Sequence, residues 1–336
     1  MIGHALTPLI TAIQPPHAVP GAAVVLEGGP FDLEPSGFPA VRVGHDDARV
    51  SFAARDRIRF LVPADCPPGR HPVRLDLAPG ETAFLDVAEV LATGVHCVDS
   101  PAVSSDGTVF VTCSGSRGQQ TPVSVYRVVP GAVREIFATG VTNATSLAFD
   151  PLGRLHVTSR FDGTVSRLDA SGRPELVASE LSVATGLVFA PDGTLYVGDR
   201  TGTVFRIAPG SDAVAHATLP PSVAAFHLAL GPDGRTLYAT GPTLAPRDSV
   251  YRVEAGGTVS VVTGRFGRPQ GLAFGPGDRL YVVEALAGAA GVYEVADDGT
   301  VDLVVAGAFV GLAFGRHGEL VLVSNETVYR LQGFVR

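Results

Sequence analysis

Gly186-Leu187-Val188-Phe189-Ala190-Pro191-Asp192-Gly193-Thr194-Leu195-Tyr196-Val197 is an apolar run, a Pro-Asp-Gly turn and a second apolar run. The same text stands at Ser146-Leu147-Ala148-Phe149-Asp150-Pro151-Leu152-Gly153-Arg154-Leu155-His156-Val157 and, more loosely, from Ser100 to Val111. It returns around Pro232-Asp233-Gly234, Pro276-Gly277-Asp278 and Arg316-His317-Gly318, making six occurrences. A period of roughly 40 residues with strand-length runs marks a radial β array, because one small sheet cannot bury both of its faces alone. Each unit continues with two further runs, such as Thr203-Val204-Phe205-Arg206-Ile207 and Ala213 to Leu219, so the spacing predicts four strands per unit.

The last unit supplies only three runs, ending at Val328-Tyr329-Arg330-Leu331, which leaves an unpaired edge. Ala88-Glu89-Val90-Leu91-Ala92-Thr93-Gly94 copies the fourth-strand text Val133-Arg134-Glu135-Ile136-Phe137-Ala138-Thr139-Gly140, so residues 88–94 are expected to close the ring. Before residue 88 the texture changes to short runs, including Ala23 to Gly28, Arg57 to Pro63 and Gly69 to Leu75, separated by Pro, Gly and Asp turns. The expectation is an all-β chain of two domains: residues 1–87 as an immunoglobulin-like sandwich and residues 88–336 as a six-bladed β-propeller.

The opening strand with its two prolines, Ile10-Thr11-Ala12-Ile13-Gln14-Pro15-Pro16, followed by Gly21, resembles the start of an IPT/TIG domain. Gly271-Leu272-Ala273-Phe274 and Gly311-Leu312-Ala313-Phe314, with the Pro-Asp-Gly turns, resemble the phrases of NHL and gluconolactonase-like (SMP-30/regucalcin-type) six-bladed propellers. Together the two resemblances cover nearly the whole chain. They imply fold more than activity, since propellers host many unrelated functions.

Composition removes several chemistries. All 25 basic residues are Arg, so a lysine Schiff base, pyridoxal phosphate attachment and a nucleotide-binding Walker loop are excluded. The absence of Lys and Trp, and a single Met, fit a GC-rich, bacterial codon usage. A net charge of −8 and the absence of a dense Arg run argue against nucleic acid as a partner. No run reaches the ~18 apolar residues of a membrane span, and the N-terminus lacks the basic start and apolar core of a signal peptide, so a soluble, cytoplasmic protein is expected. Cys66, Cys97 and Cys113 are an odd count and are read as reduced thiols.

In a repeat protein, what recurs in every unit is explained by packing, and what occurs once is a candidate for chemistry. Arg127, Arg167, Arg206, Arg252 and Arg330 share one third-strand position, with Glu294 alone departing, and read as structural pairing residues. The Asp-Gly turns recur because Asp and Gly suit tight hairpins. In a four-stranded meander, the loop entering strand one and the loop joining strands two and three open on the same face of the ring. Their residues therefore surround one mouth, where propellers commonly bind ligands. Entry loops offer Asp99, Asn143, Thr145, Thr185, His227 and Gln270; the second set offers Arg117, Gln119, Gln120, Arg160, Asp162, Asp199, Arg200, Arg247, Asp248, Glu284, Asn325 and Glu326. His227 stands where other units carry Gly186, Gly271 or Gly311, so the fold does not demand it; it reads either as a hydrogen-bonded structural residue or as a ligand or proton carrier. Rim charges read either as ligand contacts or as mutual pairs, Arg160 with Asp162 and Arg247 with Asp248.

Two functions follow. The first is recognition of a small polar molecule or peptide at the mouth, with Arg117, Gln119, Arg160, Asp162, Arg200, Gln270 and Asn325 as contacts and Arg160, Arg200 and Gln270 as donors to an anionic or carbonyl group. The insertion Gly115 to Thr121 is expected to overhang it. The second rests on the gluconolactonase resemblance, which implies a metal-dependent hydrolase of lactones or related esters. The family's cation is held by a Glu, two Asn and an Asp, and those positions fall here on Asp99, Thr145, Thr185 and His227. A rearranged site has Asp99, His227 and Glu284 as catalytic groups and Asp99, Asp199 and His227 as ligands to calcium, manganese or zinc.

Overall fold

The computed structural model describes residues 9–33 and 37–334. Residues 1–8, on which the reading of the N-terminus rests, lie outside the described residues. The chain divides into two compact units, one of residues 1–89 with 303–308 and one of residues 90–302 with 309–336. No helix of the described residues is long and apolar enough to cross a membrane, and the single helical element is the short 3-10 turn Pro276–Asp278.

The first unit is built from short antiparallel strands. Leu9–Gln14, Ala23–Gly29, Arg57–Leu61 and Asp46–Ala54 pair in that order. Asp46–Ala54 continues into Val41–Val43, Gly69–Leu75 and Ala83–Val87. The nine-residue strand Asp46–Ala54 thus serves both sets, and its register slips between Val50 and Phe52 as it passes from one to the other. Alternating inward residues, among them Val24, Leu26, Ile58 and Phe60 from the first set and Val41, Val43, Val73 and Leu85 from the second, join in one core. The two-residue strand His17–Ala18 pairs in parallel with Ala83–Val87 on one side and with Val305 and Ala306 on the other.

The second unit carries the repeat. Four repeats fold as free-standing four-stranded meanders whose strands run Ala102–Val103 to Glu135–Ala138, Ala144–Phe149 to Pro174–Ala178, Ala184–Phe189 to Val214–Thr218, and His227–Leu230 to Val259–Phe266. The last repeat supplies Gly311–Phe314, Leu320–Val323 and Thr327–Leu331, and its sheet is completed by Glu89–Thr93 beside Thr327–Leu331. The closing strand expected at 88–94 is therefore present. The fifth repeat, Pro269–Phe274, Leu280–Glu284, Gly291–Val295 and Val301–Ala306, has the same strand order but is not free-standing, and residues 303–306 of its outer strand fall in the first unit. Hence five free-standing four-stranded sheets are found where six were expected, because the outer strand Val301–Ala306 also accepts the parallel pairing of His17–Ala18.

First strands touch in cyclic order: Ala102–Val103, Ala144–Phe149, Ala184–Phe189, His227–Leu230, Pro269–Phe274, Gly311–Phe314, and back to Ala102–Val103. This is a propeller arrangement with the first strands innermost. Apolar clusters form between successive sheets, for example Val125, Ala138, Leu147, Leu155 and Val157 between the first and second, and Phe226, Leu237 and Val253 with Tyr196 and Val204 between the third and fourth. Each sheet thereby buries the face its neighbour leaves open, which is why the unit must repeat to be stable.

The mouth of the ring and the layer beneath it

Hydroxyl latches join successive sheets near the axis. Thr112, Thr158 and Thr240 each end or nearly end a second strand, and each donates its Oγ1–H to an entry carbonyl of the next repeat: Thr145 O at 3.1 Å, Thr185 O at 2.7 Å and Gln270 O at 2.5 Å. In the third repeat Gly198 takes that position, and Thr185 compensates by donating to Gly198 O at 2.9 Å and accepting from Phe226 N at 3.0 Å. These buried bonds fix the residues that form the floor of the mouth.

The cavity above this floor has a volume of about 550 Å³. Entry-loop residues Val98, Thr145, Thr185, Ala225, Gln270 and Val310 line it, and loops joining strands two and three contribute Arg117, Arg160, Arg200, Ala285 and Asn325. The two loop sets assigned to one face by topology do meet at one opening. Arg268, Val183, Val223 and Ala224 complete the wall; Arg268 went unremarked in the sequence, although it directly precedes Pro269-Gln270 in an entry loop. Gln119 and Asp162, expected at the mouth, do not line the cavity. Gln119 accepts a hydrogen bond from Ser116 N inside its own loop at 3.0 Å, and Asp162 accepts from Ser159 Oγ at 2.9 Å instead of pairing with Arg160.

Charge in the cavity is one-sided. No residue lining it is acidic, in a chain with 33 acidic and 25 basic residues. Among the described residues, none of Arg117, Arg160, Arg200 and Arg268 is paired with a carboxylate. Two are tethered by backbone: Arg160 Nη2 donates to Gly115 O and Arg200 Nε to Ser222 O, each at 3.2 Å. The remaining guanidinium N–H groups are left for the cavity. Burial, and then the nearby Arg200 charge, lower the pKa of Arg160 from the ordinary arginine value.

Beneath the floor lies a layer formed by Ser100, Ser146, Gly186, His227, Gly271 and Gly311, the equivalent first-strand residues of the six repeats. Three of them, Gly186, Gly271 and Gly311, have no room for a side chain. A Cβ on Gly271 would stand 2.4 Å from Ser100 Oγ and 2.7 Å from Gly311 Cα, and one on Gly186 would stand 2.6 Å from Phe226 O. His227 fills the space the others leave. Its Nδ1 lies 2.5 Å from Asp99 Oδ1, a bond between the fourth repeat and the first, and both side chains are almost wholly buried, at 1 % and 2 % exposed. Asp99 Oδ1 also accepts from Ser100 N at 2.6 Å. His227 Nε2 and Asp99 Oδ2 are buried without a partner, an expensive arrangement for polar atoms.

Asp99 and His227 are therefore brought together, and neither lines the cavity. Asp199 and Glu284 do not join them. Asp199 accepts from Val183 N at 3.0 Å, Thr201 N at 3.2 Å and the Thr201 hydroxyl. Glu284 accepts from Gly267 N at 2.6 Å and from Arg268 N and Leu286 N at 2.8 Å. Both sit at the end of a second strand and cap the entry loop of their own repeat, a recurrent duty that Ser159 performs through Thr142 O at 2.6 Å. Among the described residues no three of His, Cys, Asp and Glu are grouped to hold a metal ion. Asn143 is also structural: its side chain bonds Gly118 N at 2.7 Å, Gly115 O at 3.0 Å and Ser116 O at 2.9 Å, bracing the insertion that carries Arg117.

No family model matches the sequence, and no curated protein matches it. Solved structures do. An auxiliary nutrient binding protein from Bacteroides thetaiotaomicron VPI-5482 aligns over 96 % of this chain and 97 % of its own, with 13 % identity and a TM-score of 0.57. XC5397 from Xanthomonas campestris, a gluconolactonase, aligns over 89 % of this chain and 98 % of its own, with 18 % identity and a TM-score of 0.60. Virginiamycin B lyase from Staphylococcus aureus aligns over 74 % and 88 %, with 14 % identity and a TM-score of 0.51. At such identities the likeness establishes the fold: the second unit is a β-propeller.

Proposed function

We propose that the protein is a ligand-binding propeller whose mouth takes a small anionic molecule. One observation carries this: among the described residues, four arginines line a cavity that contains no carboxylate and are themselves without carboxylate partners. An unpaired guanidinium beside another is tolerated when a ligand supplies the counter-charge, and the planar fork suits carboxylate or phosphate. The full-length likeness to a protein described as nutrient binding is compatible with that role. In this reading the ring has six blades, the fifth being Pro269–Phe274 to Val301–Ala306, and is of the NHL or gluconolactonase-like kind. The first unit is an IPT/TIG-like, immunoglobulin-type module.

The test is a thermal-shift and calorimetric panel on the full chain with acetate, benzoate, octanoate, glucuronate and inorganic phosphate, beside neutral glucose and benzyl alcohol. Saturable binding confined to anions and abolished in Arg160→Ala/Arg200→Ala is expected. Indifference to every anion, or equal binding of the neutral compounds, overturns the proposal.

A second function, metal-dependent hydrolysis of lactones or related esters, draws on one observation: two unpartnered donor atoms, Asp99 Oδ2 and His227 Nε2, on side chains that touch. Two donors do not make a cation site, and the other expected ligand, Asp199, is engaged by its own loop. Titration of chelator-stripped protein with calcium, manganese and zinc decides the matter. No stoichiometric uptake is expected; uptake that disappears in His227→Ala puts the hydrolase ahead.

A further inference from the structure

We infer that the ligand is an amphiphilic anion, a carboxylate or phosphate head on an apolar body; this rests on the anion-binding role proposed above and adds the nature of the rest of the molecule. The wall of the cavity is divided by repeat. Arg117, Arg160 and Arg200 come from the first, second and third repeats and form a continuous cationic arc. The fourth repeat contributes only Val223, Ala224 and Ala225. Val223 keeps 36 % of its surface exposed, held in place by its N–H on Pro242 O at 2.8 Å.

The loop joining strands two and three in the fifth repeat adds Ala285 to this wall, where the equivalent loops of the second and third repeats present Arg160 and Arg200, and Arg268 with Gln270 is the polar interruption on this side. A lone exposed apolar residue needs no explanation. Val223, Ala224 and Ala225 lining the cavity together with Ala285 and Val310 are a different matter, because such patches mark sites that bury apolar surface on binding. A hydrophilic anion, an inorganic phosphate or a small sugar acid, satisfies the arc and leaves that flank wet. A head in the arc with an apolar body lying against Val223, Ala224 and Ala225 satisfies both.

The experiment is calorimetry of the full chain with acetate, butanoate, hexanoate and octanoate, and with 1-hexanol as the uncharged control. Affinity is expected to rise about threefold to fourfold per added methylene, the factor for moving one methylene out of water, with 1-hexanol failing to bind. Val223→Asn and Ala224→Asn, neutral changes at two residues of the cavity wall, are expected to flatten the dependence of affinity on chain length within each variant. Acetate and octanoate binding equally well, or an undiminished slope in both variants, overturns the amphiphile while the anion site stands. Failure of every carboxylate to bind, in a protein whose melting shows it folded, removes both.

Discussion

Arginines at the two ends of the same sheets live in opposite electrostatic worlds. At the end opposite the mouth, three of the third-strand arginines are matched by carboxylates: Arg127 Nη2 lies 2.7 Å from Glu135 and Arg167 pairs with Glu175 across the hairpin, and Arg252 Nε lies 3.0 Å from Glu254 two residues on. Where the fifth repeat replaces that arginine by Glu294, the polarity inverts and Arg279 supplies the cation at 2.6 Å. The pairing thus recurs in the first, second, fourth and fifth repeats and survives a swap of sign. At the mouth it stops. Among the described residues Arg117, Arg160, Arg200 and Arg268 have no such partners, so identical side chains serve cohesion at one end and remain available for a ligand at the other.

The comparison can be broken most violently at the layer separating the two ends. Asp99→Ala leaves His227 buried without its hydrogen-bond partner and is expected to cost about 1–3 kcal/mol of stability, as orphaning a buried polar group does; denaturant unfolding measures it, and a loss well below about 1 kcal/mol would mean the bond does not hold the first and fourth repeats together. Gly271→Ala forces a Cβ onto Ser100 and Gly311 and is expected to cost about 1–3 kcal/mol by overpacking, read in the same way.

Next comes the mouth itself. Arg160→Ala should weaken binding of an anionic ligand at least about tenfold, roughly 1.4 kcal/mol, without lowering the melting temperature, since it relieves repulsion from Arg200. The same substitution at Arg167 should leave binding unchanged and cost about 0.2–1 kcal/mol of stability, the worth of an exposed pair. If the two variants behave alike, the contrast between the ends is wrong.

The smallest effect is with acid, and its sign follows from the turns. Asp150 is pulled up by burial, but N–H groups of Arg154 and Leu152 and the Arg154 guanidinium outweigh this and hold its carboxyl below the ordinary value. Asp106, Asp192, Asp233 and Asp298 are likewise lowered, chiefly by bonds from Ser104, Thr194, Thr236 and Thr300. A carboxyl with a folded value below its unfolded one, about 3.9, contributes stability above that pH and loses it as the pH falls through the folded value. Acid should therefore loosen the turn end first, and Asp150→Asn should shift the acid midpoint upward, as monitored by circular dichroism during acid titration.

How far these features were legible differs by the range of the interaction that makes them. The repeat, its four strands and the closing strand at Glu89–Thr93 were readable because strand text and turn chemistry are local. Arg117, Arg160, Arg200, Gln270 and Asn325 were readable as neighbours because meander topology alone sends their loops to one face. The bond from His227 to Asp99 was not, since it joins residues 128 apart and depends on which repeats oppose across the ring. Nor could sequence separate Asp99 from Asp199 and Glu284. All three are carboxylates at mouth-side positions, and only the donors that saturate the last two reveal them as loop caps. The fifth repeat departs from expectation for a similar reason, because the partner of its outer strand is His17–Ala18, nearly three hundred residues earlier.

The His227 layer has a kinetic consequence. With Gly186, Gly271 and Gly311 packed too tightly to admit a methyl group and a buried imidazole lying across to Asp99, the layer blocks the axis beneath the mouth, which works as a cup with a single door. Water expelled by an arriving molecule must leave past the molecule itself, and departure retraces arrival. Residence time is then governed by the same rim that admits the ligand, so substitutions at Arg117 or Val223 should change on-rates and off-rates together, while nothing done at the far end of the ring should change either.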